Sequence, residues 1–450
     1  MDEFTLVIIA GYAVLGAVVI TLWSVQRYQV ALFIIAVSPL ATTVLMPNYL
    51  DYLDAELEPG LGSYVRIGIV LLAGTAGAIV FLRSKPRQSI PRHLVLLGVL
   101  VSMALASTGY SIDPKFTFVR AASSGAVFAF LLGLHCWLKD EERLRGVMET
   151  LLVTIVFGVA VNGLAGLLWP ARAWLYVEVP RFQGLLGHPN QFGGFCMLSY
   201  PVLFWKYPRC TNLEKWLLIC VGVVMVWLHL MTGSRGSLLP SAVLICVWFF
   251  AMKQWARLIC VAGVLAVAGI LVVTLMPSKF KRDDNADFTG LTGRPEIWQA
   301  ATELVMERPL QGYGYAVEGK VWTDPRFNKP KFALWTGSAK ESLHNGYLSA
   351  AIGGGLPVLV MWCALLIIPL SRALNSPLSG YRAFVVSVIV TSLVRNFLED
   401  QIQATAASSG ITFWVAWVIA GHGVLRGLGD SSIRLVTTHS REWAVRRHEY

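Results

Sequence analysis

Apolar segments close to the ~20 residues that cross the hydrocarbon core of a bilayer recur along almost the whole 450-residue chain. Thirteen can be delimited, at 6–23, 30–46, 64–82, 92–108, 117–137, 147–168, 190–205, 215–232, 237–252, 257–276, 345–371, 380–396 and 403–424. One of the last two is open to a re-entrant reading. Only 14% of the residues are charged and 55% are hydrophobic, whereas a soluble domain carries about 25% charged residues. The expected fold is all-α: a polytopic transmembrane helix bundle of about 12–13 spans with one large loop domain. The first run follows an acidic Met1-Asp2-Glu3 start with no basic n-region, and is read as a retained helix rather than a signal peptide.

The net charge of +10 does not point to nucleic acid, because the cations are spread over short inter-helix loops. Alternate loops hold Arg27; Arg83, Lys85, Arg87 and Arg92; Lys139, Arg143 and Arg145; Lys206, Arg209 and Lys215; Lys253 and Arg257; and Arg372 and Arg382. Five more arginines lie beyond Leu425. The opposite short loops are poor in Lys and Arg, and the 47–63 loop is acidic, with Asp51, Asp54, Glu56 and Glu58. By the positive-inside rule the first set is cytoplasmic, which puts the N-terminus outside and the C-terminus inside. The expected organisation is helices over 1–276, a large outer loop over 277–344, helices over 345–424 and a basic cytoplasmic tail over 425–450.

A loop of that length is functional or disordered, and Trp298, Tyr313, Tyr315, Trp322 and Trp335 favour order. Residues 295–307 read as a helix, with Pro295 at its first position and Ile297, Ala301 and Leu304 on one face. The seven cysteines fall in apolar runs or a short basic loop, so neither a disulfide framework nor a metal-ligand spacing is expected.

Four outer-side features can carry chemistry. The first is Arg181-Phe182-Gln183-Gly184-Leu185-Leu186-Gly187-His188-Pro189-Asn190, where Asn190 is placed to cap the next helix and an arginine beside a helix N-terminus makes an anion site. The second is the tight turn Thr232-Gly233-Ser234-Arg235-Gly236-Ser237. The third, Thr289-Gly290-Leu291-Thr292-Gly293-Arg294-Pro295-Glu296-Ile297-Trp298, sets another arginine at the start of the loop helix. The fourth is Ser342-Leu343-His344-Asn345-Gly346-Tyr347-Leu348, where the loop meets a span. Each has a plain structural reading: a snorkelling arginine, a solvated cap, a packed histidine. Together, arginine forks that match phosphate oxygens and an imidazole that takes a proton near neutrality fit displacement of a diphosphate from a sugar by an acceptor hydroxyl.

Other candidates are weaker. Asp283-Asp284-Asn285-Ala286-Asp287 has Phe288 where a calcium loop needs glycine. Arg120, His135 and His229 lie in or near apolar runs, and Arg395 with Glu399 and Asp400 can form an outer ion pair or a second anion contact. No P-loop is present.

In their order along the chain, the Arg181 to Asn190 stretch, Thr232-Gly233-Ser234-Arg235-Gly236, Gly293-Arg294 with Trp298, Glu307-Arg308-Pro309-Leu310-Gln311-Gly312-Tyr313-Gly314 and His344-Asn345-Gly346-Tyr347-Leu348 resemble the signature of the O-antigen ligase and polysaccharide polymerase superfamily of bacterial inner-membrane proteins. The resemblance covers roughly 175–400. It implies a metal-independent, inverting glycosyltransferase of the GT-C type, without cofactor. Such an enzyme takes a glycan from undecaprenyl diphosphate at the periplasmic face and passes it to a glycan or lipid A-core acceptor. By that pattern Arg181 and Arg294, with Arg235, hold the diphosphate and His344 activates the acceptor, supported by His188, Asn190, Asn345 and Tyr347. The wording of the motifs lies nearest the exopolysaccharide polymerase branch. Membrane lipids and polysaccharide-assembly proteins are the further partners it implies. A lipid-linked glycan transporter or flippase is the competing reading, although the paired mid-membrane charges and repeats of such proteins are not evident; a purely structural scaffold is a third.

Overall fold

A computed structural model of the protein describes residues 20–21, 23, 27–44, 61–84, 90–176, 180–275, 294–321, 324, 343–376, 379–399 and 408–421. Among them the regular structure is helical apart from one antiparallel pairing of Trp174–Leu175 with Arg181–Phe182, which the sequence reading did not foresee. Six helices are long and apolar enough to cross a membrane: Val65–Arg83, Arg92–Gly109, Pro114–Trp137, Glu141–Leu168, Asn212–Met231 and Gly346–Leu374. Shorter apolar helices include Tyr28–Leu40, Arg235–Ala251, Trp255–Leu271 and Gly410–Gly421. The protein is an all-α polytopic bundle, as expected. The expected spans from 30–46 onward each coincide with a helix. Most of the first run, the acidic 47–60 segment, the Asp283 to Asp287 turn, residues 289–293, Trp322, Trp335, Ser342, Asp400 and the tail arginines lie outside the described residues.

Two further helices, Pro189–Lys206 and Ser379–Asn396, match the expected spans at 190–205 and 380–396 but are not among those six. Nearly every residue of the first is buried, and so are most of the second. Their neighbours are other helices, so Asn190, Ser199, Ser387, Thr391 and Arg395 face protein rather than hydrocarbon. Elsewhere small residues allow close approach: a Cβ on Gly74 of Leu61–Arg83 would lie 2.6 Å from the Ala126 carbonyl oxygen of Pro114–Trp137.

The loop helix runs Arg294–Glu307, one residue earlier than expected, so that Arg294 rather than Pro295 opens it. Its apolar face, with Ala301, Leu304 and Val305, packs with Tyr313, Val317, Val321 and Leu343 against Ala351 and Ile352, forming a second core separate from the main one. The expected continuous span at 345–371 is broken: in Gly346–Leu374, Gly354 and Gly355 leave helical geometry. The Ile352 and Gly353 carbonyls accept instead from Tyr313 N (2.8 Å) and Gly314 N (3.0 Å), and Leu356 N donates to Pro309 O (2.7 Å). Loop backbone thereby satisfies polar groups that lipid could not. Gly312 (φ +66°) and Gly355 (φ +75°) adopt left-handed backbone that only glycine takes at little cost.

Contacts join neighbouring loops within each set. Among or beside the Lys- and Arg-rich loops, Arg372 Nη1 meets His93 Nδ1 (3.5 Å), Arg382 donates to Ala251 O (3.2 Å) and Lys206 pairs with Glu149 (2.8 Å). Among the opposite loops, Ile112 N donates to Tyr313 O (3.1 Å) and Lys320 pairs with Asp113 at 2.5 Å.

Candidate functional site

The N-terminal end of Pro189–Lys206 is built by His188, not by Asn190 as expected. His188 is the cap, and its Nδ1 accepts from Asn190 N at 3.1 Å. With Pro189 filling the first position, the Asn190 side chain is left to turn inward. Its Oδ1 accepts from Ser234 Oγ (2.9 Å) and from Arg181 Nη2 (3.4 Å), and its Nδ2 donates to Glu399 Oε1 (2.7 Å). Two donors on one atom and a carboxylate on the other fix which way the amide points.

Arg181 also donates through Nε to Thr232 O at 2.8 Å, tying the extended 181–182 segment to the expected tight turn. Gly233 supplies that turn's left-handed residue (φ +56°), and Ser234 N donates to Thr232 Oγ1 at 3.1 Å. Arg235 follows as the half-buried first residue of Arg235–Ala251. A Cβ on Gly236 would stand 3.3 Å from Glu399 Oε1, so this turn closes directly on the carboxylate.

From the loop side, Arg294 donates to Glu399 Oε1 (3.1 Å) and to Leu398 O (3.0 Å). One turn further along the same helix face, Trp298 Nε1 donates to Leu343 O at 3.0 Å and so holds the chain just ahead of His344. His344 has φ +49°, a left-handed conformation that costs a residue with a Cβ on the order of 1 kcal/mol and that clusters at functional sites. Its Nδ1 lies 3.0 Å from Glu399 Oε2. Asn345 caps Gly346–Leu374, its Oδ1 accepting from Tyr347 N and Leu348 N, both at 3.1 Å. The Tyr347 hydroxyl donates to Leu393 O at 3.1 Å, which locks this corner to Ser379–Asn396.

Glu399 is therefore where three distant segments meet. Burial pushes its carboxyl up, but the hydrogen bond and charge of His344, together with Arg294 and Arg395, outweigh that and bring it down to about 2. An ionised carboxylate can only accept, so His344 Nδ1 carries a hydrogen, and when the imidazole is neutral its basic lone pair is on Nε2.

The structure thus joins Arg181, Asn190, Arg294 and His344 in one hydrogen-bonded cluster, with His188, Asn345 and Tyr347 shaping its frame and Arg235 next to Ser234. From the sequence, Glu399 is expected only to join Asp400 and Arg395 in an outer ion pair or a second anion contact. Among the described residues its carboxylate meets Asn190, Arg294 and His344, while Arg395 Nη2 donates to Asn190 O at 2.7 Å. Its signal in the sequence is an acidic residue just past an apolar span, on the side of the motif histidine. Of the other candidates, Arg120 is exposed and stacks over Phe116 (5.0 Å), away from this cluster's hydrogen bonds. His229 is buried between Tyr200 (3.1 Å) and Ser237 (2.9 Å).

Residues 220–363 match the family model described as O-antigen ligase, a stretch that includes Arg235, Arg294 and His344. The chain is 25% identical over 388 residues to an O-antigen ligase of Salmonella typhimurium, covering 78% of this chain and 89% of the relative. It is 24% identical over 308 residues to an O-antigen ligase of Pseudomonas aeruginosa, covering 67% of this chain and 70% of that relative. The resemblance drawn from the ordered motifs is borne out: the chain is similar to O-antigen ligases, and it is a multi-pass membrane protein.

Proposed function

We propose that this protein is an inner-membrane glycosyltransferase that moves a glycan from an undecaprenyl-diphosphate-linked donor to an acceptor hydroxyl at the periplasmic face, inverting the anomeric centre without a metal. The observation that carries the reading is the Glu399 cluster: one carboxylate holds an imidazole, Arg294 pairs with that carboxylate, and Arg181 and Arg395 join through Asn190, so that among the described residues of the cluster three guanidinium groups meet one carboxylate. Such a cluster favours an anion.

In the proposed reaction the acceptor O–H attacks sugar C1 from the face opposite the diphosphate. The C1–O bond to the diphosphate breaks, and its electron pair leaves on the diphosphate oxygen. The acceptor proton passes to His344 Nε2, and Glu399 stabilises the imidazolium through Nδ1. Arg181 and Arg294, with Arg235 beside them, are assigned to the diphosphate, whose growing charge guanidinium forks meet bidentately. The periplasmic placement rests on the distribution of Lys and Arg among the loops.

Incubation of the purified protein with undecaprenyl-diphosphate repeat units, with and without lipid A-core, tests this. Product that requires the core acceptor makes it a ligase, the activity named for both curated relatives; a ladder without core makes it a polymerase. Transport of the lipid-linked glycan across vesicles with no glycosidic bond formed would reject the proposal in favour of a flippase.

A further inference from the structure

Arg395 is an arginine deep in the bundle, 3% exposed, on a helix whose other side chains are mostly apolar or small. Among the described residues only its Nη2 has a hydrogen-bond partner, Asn190 O at 2.7 Å; Nε and Nη1 have none. Burying a guanidinium with two unmet donor atoms costs stability, so a packing role does not account for it, and a charge enclosed among bundle helices is by default a functional candidate. Two features of its surroundings are specific. The guanidinium lies on Gly194 of Pro189–Lys206, where a Cβ would stand 2.5 Å from Nη2 and closer still to Nη1 and Cζ. Glu399 N donates to Arg395 O at 2.9 Å, so the carboxylate is carried on the turn that Arg395 begins.

We propose that Arg395 is a positioning residue for the transfer reaction: seated on Gly194, it fixes the main chain of Asn190 and presents a positive charge to Glu399, and through these two residues it sets the orientation and charge of the His344–Glu399 pair. The inference rests on the transfer reading above. Among the described residues, the charged and titratable groups linked to the pair are Arg294 from the loop helix, Arg181 through Asn190, Arg395 on the carboxylate's own segment, and His229, which feels Arg395 from the other side. Removing the Arg395 charge makes the pair hold its proton more tightly. Removing the contact with Asn190 loosens the amide that Glu399 and Arg181 share.

The test is glycan transfer from undecaprenyl-diphosphate repeat units by purified full-length protein, followed against pH. Arg395→Gln is expected to lower kcat roughly 10–100-fold with KM nearly unchanged, and to move the acid limb of the profile up by about one pH unit. Arg395→Lys, which keeps the charge, restores the limb. Gly194→Ala, which displaces the guanidinium, lowers kcat in the native background but adds less than about 2-fold in Arg395→Gln, because the two act through one contact. Native kcat and pH profile in Arg395→Gln, or multiplicative effects of the two substitutions, would overturn the inference while His344→Ala is inactive. Native activity in His344→Ala would instead sink the transfer reading itself. If Arg395→Gln does not elute as folded protein, Gly194→Ala decides: a shifted limb supports the inference and an unshifted one overturns it.

Discussion

Replacing Glu399 by glutamine keeps size and shape and removes only the charge on which three segments converge. In the native protein Glu399 accepts from Asn190 (2.7 Å), Arg294 (3.1 Å) and His344 (3.0 Å), all donors. A glutamine amide has one accepting oxygen, so its NH2 must face at least one of those donors. If the amide turns to His344, the imidazole loses the acceptor that fixes its tautomer; if it turns to Arg294 and Asn190, the loop helix loses its anchor. The depression of the Glu399 carboxyl from 4.5 to about 2 corresponds to about 3 kcal/mol of stability at neutral pH. Because the folded value is depressed, that stability is complete above the ordinary carboxyl range and drains away as pH falls from about 5 toward 2. Glu399→Gln should therefore lower the thermal midpoint of detergent-purified protein at pH 7 by on the order of 5 °C and flatten its decline between about pH 5 and 3. Transfer should fall roughly 10²–10⁴-fold, the scale of losing the carboxylate behind a catalytic imidazole. A variant with native midpoint, native acid sensitivity and native turnover would refute the claim that this carboxylate organises the site.

Three other outcomes follow from the same geometry. Arg294→Lys should retain less than about a tenth of the activity, because an ammonium cannot serve Leu398 O and Glu399 Oε1 together as the fork does; steady-state transfer rates check this. Gly355→Ala, at φ +75° with a Cβ 2.5 Å from Pro309 O, should cost about 1–3 kcal/mol and free the 309–314 segment, seen as faster proteolysis within the loop. Lys320→Met should weaken the half-exposed pair with Asp113 by no more than about 1 kcal/mol, a small drop in thermal midpoint with unchanged turnover.

The bundle was legible because lipid forces the backbone to satisfy itself in helices, and a stretch of twenty apolar residues has few other fates. The loop helix was legible for the same kind of reason, through Ile297, Ala301 and Leu304 on one face. Three things were not. Asn190 looked like a cap, yet His188 takes that role because Pro189 fixes the first helical position and leaves the imidazole nitrogen over the next amide. The break at Gly354–Gly355 depends on loop backbone more than thirty residues away, which no local pattern reports. Glu399 was hidden because its partners sit 209, 105 and 55 residues away, and a carboxylate at a span end reads locally as an interfacial charge. Arg181, Arg294 and His344, in contrast, stood out through ordered motifs, and the cluster joins them.

The most direct test of the central claim is an experimental structure of the protein in lipid nanodiscs with a non-transferable undecaprenyl diphosphonate–sugar analogue. The diphosphonate should lie between the Arg181 and Arg294 guanidinium groups with sugar C1 on the His344 Nε2 side. Ligand density away from these three side chains, or Arg181 and His344 facing different compartments, would contradict the account.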